Sequence, residues 1–246
     1  MLRLVCAVSS ANLVLSCASV QADTINLQQA FARGAPNVAH VWGRQNVTPI
    51  FDGVRVRYPE GSIDPGRSPP NPRGGAGFEM HFAEGAPTRT LTYQVRFQQG
   101  FQYNKGGKLP GLFGGSAPRG CIKNDADGFS ARLMWRADGA GELYLYAPGR
   151  DAACGDSIGR SNWFFISGTW HTITQKVTMN NPGANDGSIR LFVDGKQVVN
   201  ADNLMLRNRP DTQVAGLLFS TFFGGSDISW SSPQTQWAEF RNFSFQ

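Results

Sequence analysis

The sequence predicts an all-β protein, a jelly-roll sandwich of two curved antiparallel sheets. Period-two alternation of apolar and polar residues recurs along most of the chain, in stretches rich in β-branched and aromatic residues and bounded by Gly, Pro, Asn or Asp. That combination marks half-buried strands. Helical spacing is nearly absent: only Asn26 to Arg33, with Leu27, Ala30 and Phe31 on one face, reads as a short surface helix. No repeat of fixed period is visible, which sets solenoids and propellers aside.

Taken in order, strands are expected at Val54 to Tyr58, Phe78 to Phe82, Leu91 to Phe97, Phe129 to Trp135 and Leu143 to Tyr146. Later ones follow at Trp170 to Met179, Ile189 to Val193, Gln197 to Val199, Leu217 to Phe223 and Trp237 to Phe245. Asp194-Gly195 falls between two of them and predicts a tight hairpin, because Gly accepts the positive φ that such turns require. Residues 61 to 77 carry four prolines and five glycines and cannot form a central strand. They are expected to be a long loop, either a solvated connection or a mobile flap whose Arg67 and Arg73 meet an anionic polymer.

The first residues, MLRLVCAVSSANLVLSCASVQADT, combine one early cation, Arg3, with an apolar stretch ending in Val20-Gln21-Ala22. This is the pattern of a secretory signal peptide cleaved near Ala22, and the interrupting serines and Asn12 leave the run short of a membrane span. A secreted, extracellular protein of residues 23–246 is expected, forming one domain. Cleavage removes Cys6 and Cys17 and leaves Cys121 and Cys154, an even pair that predicts one disulfide in an exported protein. The modest excess of 23 basic over 18 acidic residues is compatible with a polyanionic partner. Nucleic acid is disfavoured by the export signal and the lack of a concentrated basic helix or tail. No membrane partner is expected, and the molecule is expected to be a monomer. Asn46-Val47-Thr48 and Asn242-Phe243-Ser244 have the N-glycosylation pattern.

His40, His81 and His171 show no metal-ligand spacing, and two cysteines cannot complete a zinc site, so neither metal nor cofactor is expected. His171, on a predicted strand, reads as structural. There is no Gly-x-Ser-x-Gly elbow for a serine hydrolase. Glu79, Glu142 and Glu239 stand on separate predicted strands, which weakens a glycosidase that needs two carboxyl groups at one bond.

The chain offers instead a cationic, glycine-flanked segment, Asn104 to Gly111, read as a loop that follows the strand ending near Phe101. In the next strand, Ser130, Arg132, Met134 and Arg136 point to one face and Phe129, Ala131, Leu133 and Trp135 to the other. A short turn at Asp138 to Gly141 leads to Glu142-Leu143-Tyr144-Leu145-Tyr146, and hairpin pairing sets Tyr144 and Tyr146 beside Ser130 and Arg132. Cations and phenols together suit removal of a proton next to a carboxylate. The same residues also read as ordinary sheet aromatics and a solvated cationic face.

KGGKLPGLFGG at residues 105 to 115, FSARLMWR at 129 to 136, Tyr144-Leu145-Tyr146 and TFFGGSD at 221 to 227 together resemble polysaccharide lyase family 14, which includes alginate lyases and related glucuronan-cleaving proteins. The resemblance implies a jelly roll whose cleft has Lys108 at its centre, with Ser130, Arg132, Tyr144 and Tyr146 around it as catalytic residues. Lys105 and Arg136 would bind substrate. Lys108 and Arg132 would neutralise a uronate carboxylate, Ser130 would orient it, and the two tyrosines would serve as base and acid, in an order the resemblance leaves open, with Lys108 itself a further candidate for proton transfer. The activity implied is β-elimination in an acidic polysaccharide, a β-1,4-linked polyuronate such as mannuronate-rich alginate or glucuronan. Rival expectations are a non-catalytic carbohydrate-binding jelly roll and a glycoside hydrolase.

Overall fold

The computed structural model of the protein describes residues 22–67, 71–121, 127–149 and 154–246. The expected signal peptide up to residue 21 and the side chain of Arg67 lie outside the described residues. In chain order the elements are β1 (Asp23–Ile25), α1 (Leu27–Phe31), β2 (Val38–Trp42), β3 (Val47–Ile50), β4 (Gly53–Tyr58), β5 (Ala76–Ala86), β6 (Thr88–Phe97) and β7 (Gly106–Gly115). They continue with β8 (Gly128–Arg136), β9 (Gly141–Tyr146), β10 (Asp156–Ile158), β11 (Trp170–Thr178), β12 (Gly187–Val193), β13 (Lys196–Leu204), β14 (Val214–Phe223) and β15 (Gln236–Phe245).

These strands build the jelly-roll sandwich from two antiparallel sheets. One has the order β13-β12-β11-β6-β15-β4-β3, with β1 added on β15, and the other the order β10-β9-β8-β7-β14-β5-β2. Alternation decides what goes inside. Phe129, Ala131, Leu133 and Trp135 of β8 and Leu143 and Leu145 of β9 join one core with Leu91, Val95 and Phe97 of β6. The helix is capped by Asn26, whose side chain accepts the Gln29 N–H, and it buries Leu27, Ala30 and Phe31 against that core. The turn between β12 and β13 holds Asp194 at φ 52° and Gly195 at φ 78°, both left-handed, as a two-residue hairpin with the right twist demands.

The segment read as a loop at Asn104 to Gly111 is mostly strand: β7 starts at Gly106 and pairs with β14 on one side and β8 on the other. Its glycines permit close packing rather than turning. A Cβ on Gly111 would lie 2.0 Å from the Ala131 carbonyl oxygen, and one on Gly107 would lie 2.1 Å from the Trp135 ring. Pro110, which has no N–H to give a ladder, sits where the β7–β8 register slips between Leu109 and Leu112. The slip leaves backbone groups without strand partners, and the opposite sheet supplies them. Gln175 of β11, fully buried, accepts the Leu112 N–H at 2.9 Å and donates to the Ala131 carbonyl at 2.6 Å. Gln175→Leu is therefore expected to destabilise the protein by about 3 kcal/mol, since two buried backbone groups each lose a partner. Urea unfolding measures it, and a midpoint shift no larger than that of an exposed substitution would contradict the bridging role.

Two further expectations change. The proline-rich stretch ends at residue 75, and its start closes on the fold, with Ser62 fully buried and Ile63 bridged to Arg73. Asn46, offered by its triplet for glycosylation, is 5% exposed and donates to the carbonyls of Arg73 and Gly75, so its amide is already spent on holding that stretch.

Candidate active site

Strands β7, β8 and β9 lie side by side, and their outward residues share one face. Register aligns Lys108 with Met134 and Glu142, Arg132 with Tyr144, and Ser130 with Tyr146. The slip at Pro110-Gly111 is what keeps both Lys108 and Phe113 outward although their positions differ by an odd offset, because one extra residue reverses the alternation. Over this face opens a cleft of about 660 Å³, lined by Lys108, Arg132, Arg136, Tyr144 and Tyr146, with Trp42, Phe222 and Trp230 as aromatic wall.

The electrostatics of the floor are unusual. Lys108 Nζ lies 3.9 Å from the Tyr144 ring centroid and 2.8 Å from Met134 Sδ. Burial, and then the neighbouring Arg132 and Arg136 guanidiniums, hold its pKa well below the ordinary lysine range. Arg132 is 3% exposed; burial draws its pKa down to about 10, so it stays a cation at neutral pH. Its Nη1 donates to Ser220 Oγ at 3.2 Å, while its buried Nε has no acceptor among the described residues. Burial and the adjacent Tyr146 push the Tyr144 hydroxyl up to about 12, against a lowering hydrogen bond from the Gly155 backbone. The Tyr146 hydroxyl accepts the Cys121 N–H at 3.1 Å. Among the described residues no three His, Cys, Asp or Glu side chains converge where a metal could sit.

A cation without a carboxylate partner among the described residues, an amine of lowered proton affinity and two phenols thus surround one cavity, and the sequence from residue 51 to residue 243 matches the family model of polysaccharide lyase 14. The chain belongs to polysaccharide lyase family 14. It is similar to the marine family 14 alginate lyase of Aplysia kurodai, with 33% identity, 86% of this chain and 90% of that one covered, and a TM-score of 0.75. An alginate lyase from a Chlorella virus shares the fold at 24% identity and a TM-score of 0.78, over 91% of this chain and 98% of that one. An endo-β-1,4-glucuronan lyase from Trichoderma reesei shares it more distantly, at 12% identity, a TM-score of 0.54 and 84% and 89% coverage. No curated protein matches the sequence. The protein is a polysaccharide lyase with a polysaccharide substrate.

Within this lyase the residues singled out from the sequence separate into two groups. Lys108, Arg132, Arg136, Tyr144 and Tyr146 line the cleft together. Ser130 does not: it is fully buried, and its hydroxyl donates to the Pro118 carbonyl at 2.6 Å, so it anchors the segment after β7 instead of reaching substrate. Lys105 is exposed, with Nζ on Ser229 Oγ, and is not part of the cleft lining. Arg136 donates from Nε at 2.8 Å to Glu142, and Arg160 takes that carboxylate's other oxygen, so the fully buried Glu142 is clamped between two guanidiniums. His171 is a structural residue, its Nε2 accepting the Ile166 N–H and its Nδ1 bonded to Asp194. Sequence reasoning missed the Arg119–Glu79 ion pair on the cleft wall, because Arg119 lies in the irregular segment after β7 where no alternation operates.

The disulfide between Cys121 and Cys154 has a second task beyond stapling. It ties together two backbone donors, the Cys121 N–H on the Tyr146 hydroxyl and the Gly155 N–H on the Tyr144 hydroxyl. Cys121→Ser/Cys154→Ser is expected to cost about 3 kcal/mol of stability through the freed unfolded chain. Well below its melting transition it should also lose about ten-fold in kcat, as the phenols lose their alignment. Full activity in the folded double variant would restrict the link to stability.

Proposed function

We propose that this lyase is secreted and cleaves a β-1,4-linked polyuronate by β-elimination, with mannuronate-rich alginate as the first substrate and glucuronan as the second. The observation that carries the reading is Arg132, a guanidinium in the lining of the cleft that no carboxylate among the described residues neutralises, which is what a uronate carboxylate needs. The 33% identity to an alginate lyase over most of both chains puts alginate ahead of glucuronan, whose lyase shares the fold alone.

In this mechanism Arg132 binds the carboxylate and offsets the charge that builds on it when the neighbouring carbon is deprotonated. Lys108, its proton affinity lowered by its burial and its cationic neighbours, takes the proton from C5 in its unprotonated form. The electron pair forms the C4=C5 double bond, the C4–O4 bond breaks, and Tyr144, which keeps its proton far into the alkaline range, delivers it to O4. Tyr146, held by the Cys121 N–H and edge-on to Tyr144 with ring centroids 5.5 Å apart, fixes the direction of that phenol. Of the candidates for proton abstraction, the tyrosines and Lys108, this reading takes Lys108, for its place in the cleft beside Arg132 and its lowered proton affinity.

The test is a side-by-side incubation with polymannuronate, polyguluronate, glucuronan and pectate, following ultraviolet absorbance of the unsaturated uronate. Polymannuronate should give the fastest rise. Saturated ends from every polymer would refute elimination, and a fastest rise on glucuronan or pectate would refute the substrate order. N-terminal sequencing of protein from the medium should begin near Asp23 if the export reading is right.

A further inference from the structure

The outward face of the other sheet carries a second concentration of cations that the chemistry does not use. Strand pairing sets Arg55 of β4, Glu239 of β15, Arg96 of β6 and Trp170 of β11 in one straight row across four adjacent strands. Neighbouring strands lie about 4.8 Å apart, so the row spans roughly 14 Å. Glu239 is 2% exposed and is gripped by both arginines: Arg55 donates to one carboxylate oxygen from Nε at 3.0 Å and Nη2 at 2.7 Å, and Arg96 donates from Nε to the other at 2.9 Å. Each of these guanidiniums keeps Nη1 free of that carboxylate.

Two more arginines extend the row on either side. Arg241, one cross-strand pair along β15, donates from Nε to Gln94 and has no carboxylate partner among the described residues. Arg57, opposite Trp237, is exposed and has none either. Indole rings hold the guanidiniums in place: Arg55 lies 4.1 Å from the Trp237 centroid, and Arg96 and Arg241 lie 4.7 and 4.0 Å from that of Trp170. Four guanidiniums against one buried carboxylate leave the patch at net +3. Stacking on indole orders Arg55, Arg96 and Arg241, which therefore lose less rotamer freedom on binding, so their free edges are already organised for an anion.

We propose that this face is a second, non-catalytic binding site for an acidic polysaccharide chain. Guanidinium forks recognise carboxylates bidentately, and a polyuronate presents one carboxylate per sugar along an extended strand, matching a regularly spaced row. Among the described residues the patch is built from β-strands alone, with no helix to enter a duplex groove. A polymer held here keeps further cleavable segments close to the catalytic cleft on the opposite sheet, which raises their effective concentration. The inference goes beyond the proposed cleavage reaction and is tested apart from it.

Arg57→Gln/Arg241→Gln leaves the Glu239 clamp intact and is made alone and together with Lys108→Ala, so that binding is read without turnover. Long-chain polymannuronate should bind the Lys108→Ala protein, and the added double change should weaken that binding at least ten-fold at low salt and flatten its salt dependence. On the active background, KM for the polymer should rise while kcat/KM on a tetrasaccharide and the melting temperature stay unchanged. Arg57→Glu, at an exposed position, should act in the same direction. Unchanged polymer affinity and salt dependence would overturn the proposal, as would an equal loss on the tetrasaccharide, which would mean that the arginines serve the fold. Tighter binding of duplex DNA than of polymannuronate by this face would overturn it in favour of nucleic acid. Polymer binding that depends on Arg57 and Arg241, with no unsaturated product from the active enzyme, would uphold the second site and refute only the cleavage reading.

Discussion

Lys108→Ala is expected to lower kcat on polymannuronate by roughly 10³-fold, the range that a positioned general base contributes. The fold should survive, because Lys108 points away from the sandwich core and contacts Met134 and the Tyr144 ring. Stability should even rise slightly at neutral pH. The folded protein binds the Lys108 proton less tightly than the unfolded chain does, so this residue costs stability; the cost is complete below its folded pKa and disappears above the ordinary lysine value near 10.4. Site and fold thus pull in opposite directions at one position, as functional groups often do. The pH profile of the native enzyme separates a base from a mere charge carrier. A base must be deprotonated, so kcat/KM should climb as pH rises through the depressed pKa of Lys108. A lysine needed as a cation would give a fall over the same interval. Small primary amines added to Lys108→Ala should restore part of the rate in proportion to their unprotonated form, and no restoration together with a falling profile would remove Lys108 from the proton-transfer step.

How far such a site can be read in advance depends on what each residue's position rests on. The face shared by Arg132, Tyr144 and Tyr146 follows from period two within β8 and β9 and from the short turn joining them, which pins the register. Lys108 is different. Its strand is so rich in glycine that it reads as a loop, and the slip at Pro110 reverses the alternation part-way, so its place beside Arg132 was legible only through the motif resemblance. Ser130 shows the limit of alternation: period two says which face a side chain takes, not how deeply it lies there, and the chain around Pro118 covers it. The backbone donors to the phenols were out of reach altogether, since they depend on Cys121 adopting φ 55° and on which loop the disulfide draws in. The rear arginine row was hidden for a simpler reason: its members come from four strands that are distant in sequence, and only the sheet order β11-β6-β15-β4 makes them neighbours.

Arg132→Met should be nearly as damaging to catalysis as loss of Lys108, by a separable route. Methionine fills much of the arginine volume but offers no charge to the carboxylate, so the enolate-like charge that develops during proton removal goes unopposed; losing one such stabilising donor typically costs about 10²–10³ in kcat. Ground-state binding of the same carboxylate is lost as well, so KM should rise together with the fall in kcat, unlike Lys108→Ala, whose effect falls on kcat. The substitution also removes the cation that, after burial, does most to suppress the Lys108 proton affinity. Lys108 then holds its proton more tightly, and the acidic limb of the residual activity should move to higher pH. Arg136→Gln, which takes away the cation with the next strongest influence on Lys108, should shift that limb the same way. Because Glu142 retains Arg160, the buried carboxylate stays paired in that variant and the fold should hold. An Arg132→Met enzyme with its limb unmoved or displaced toward acid would show that the two groups do not share one electrostatic site. The charge-coupled pair that the mechanism needs would then be absent.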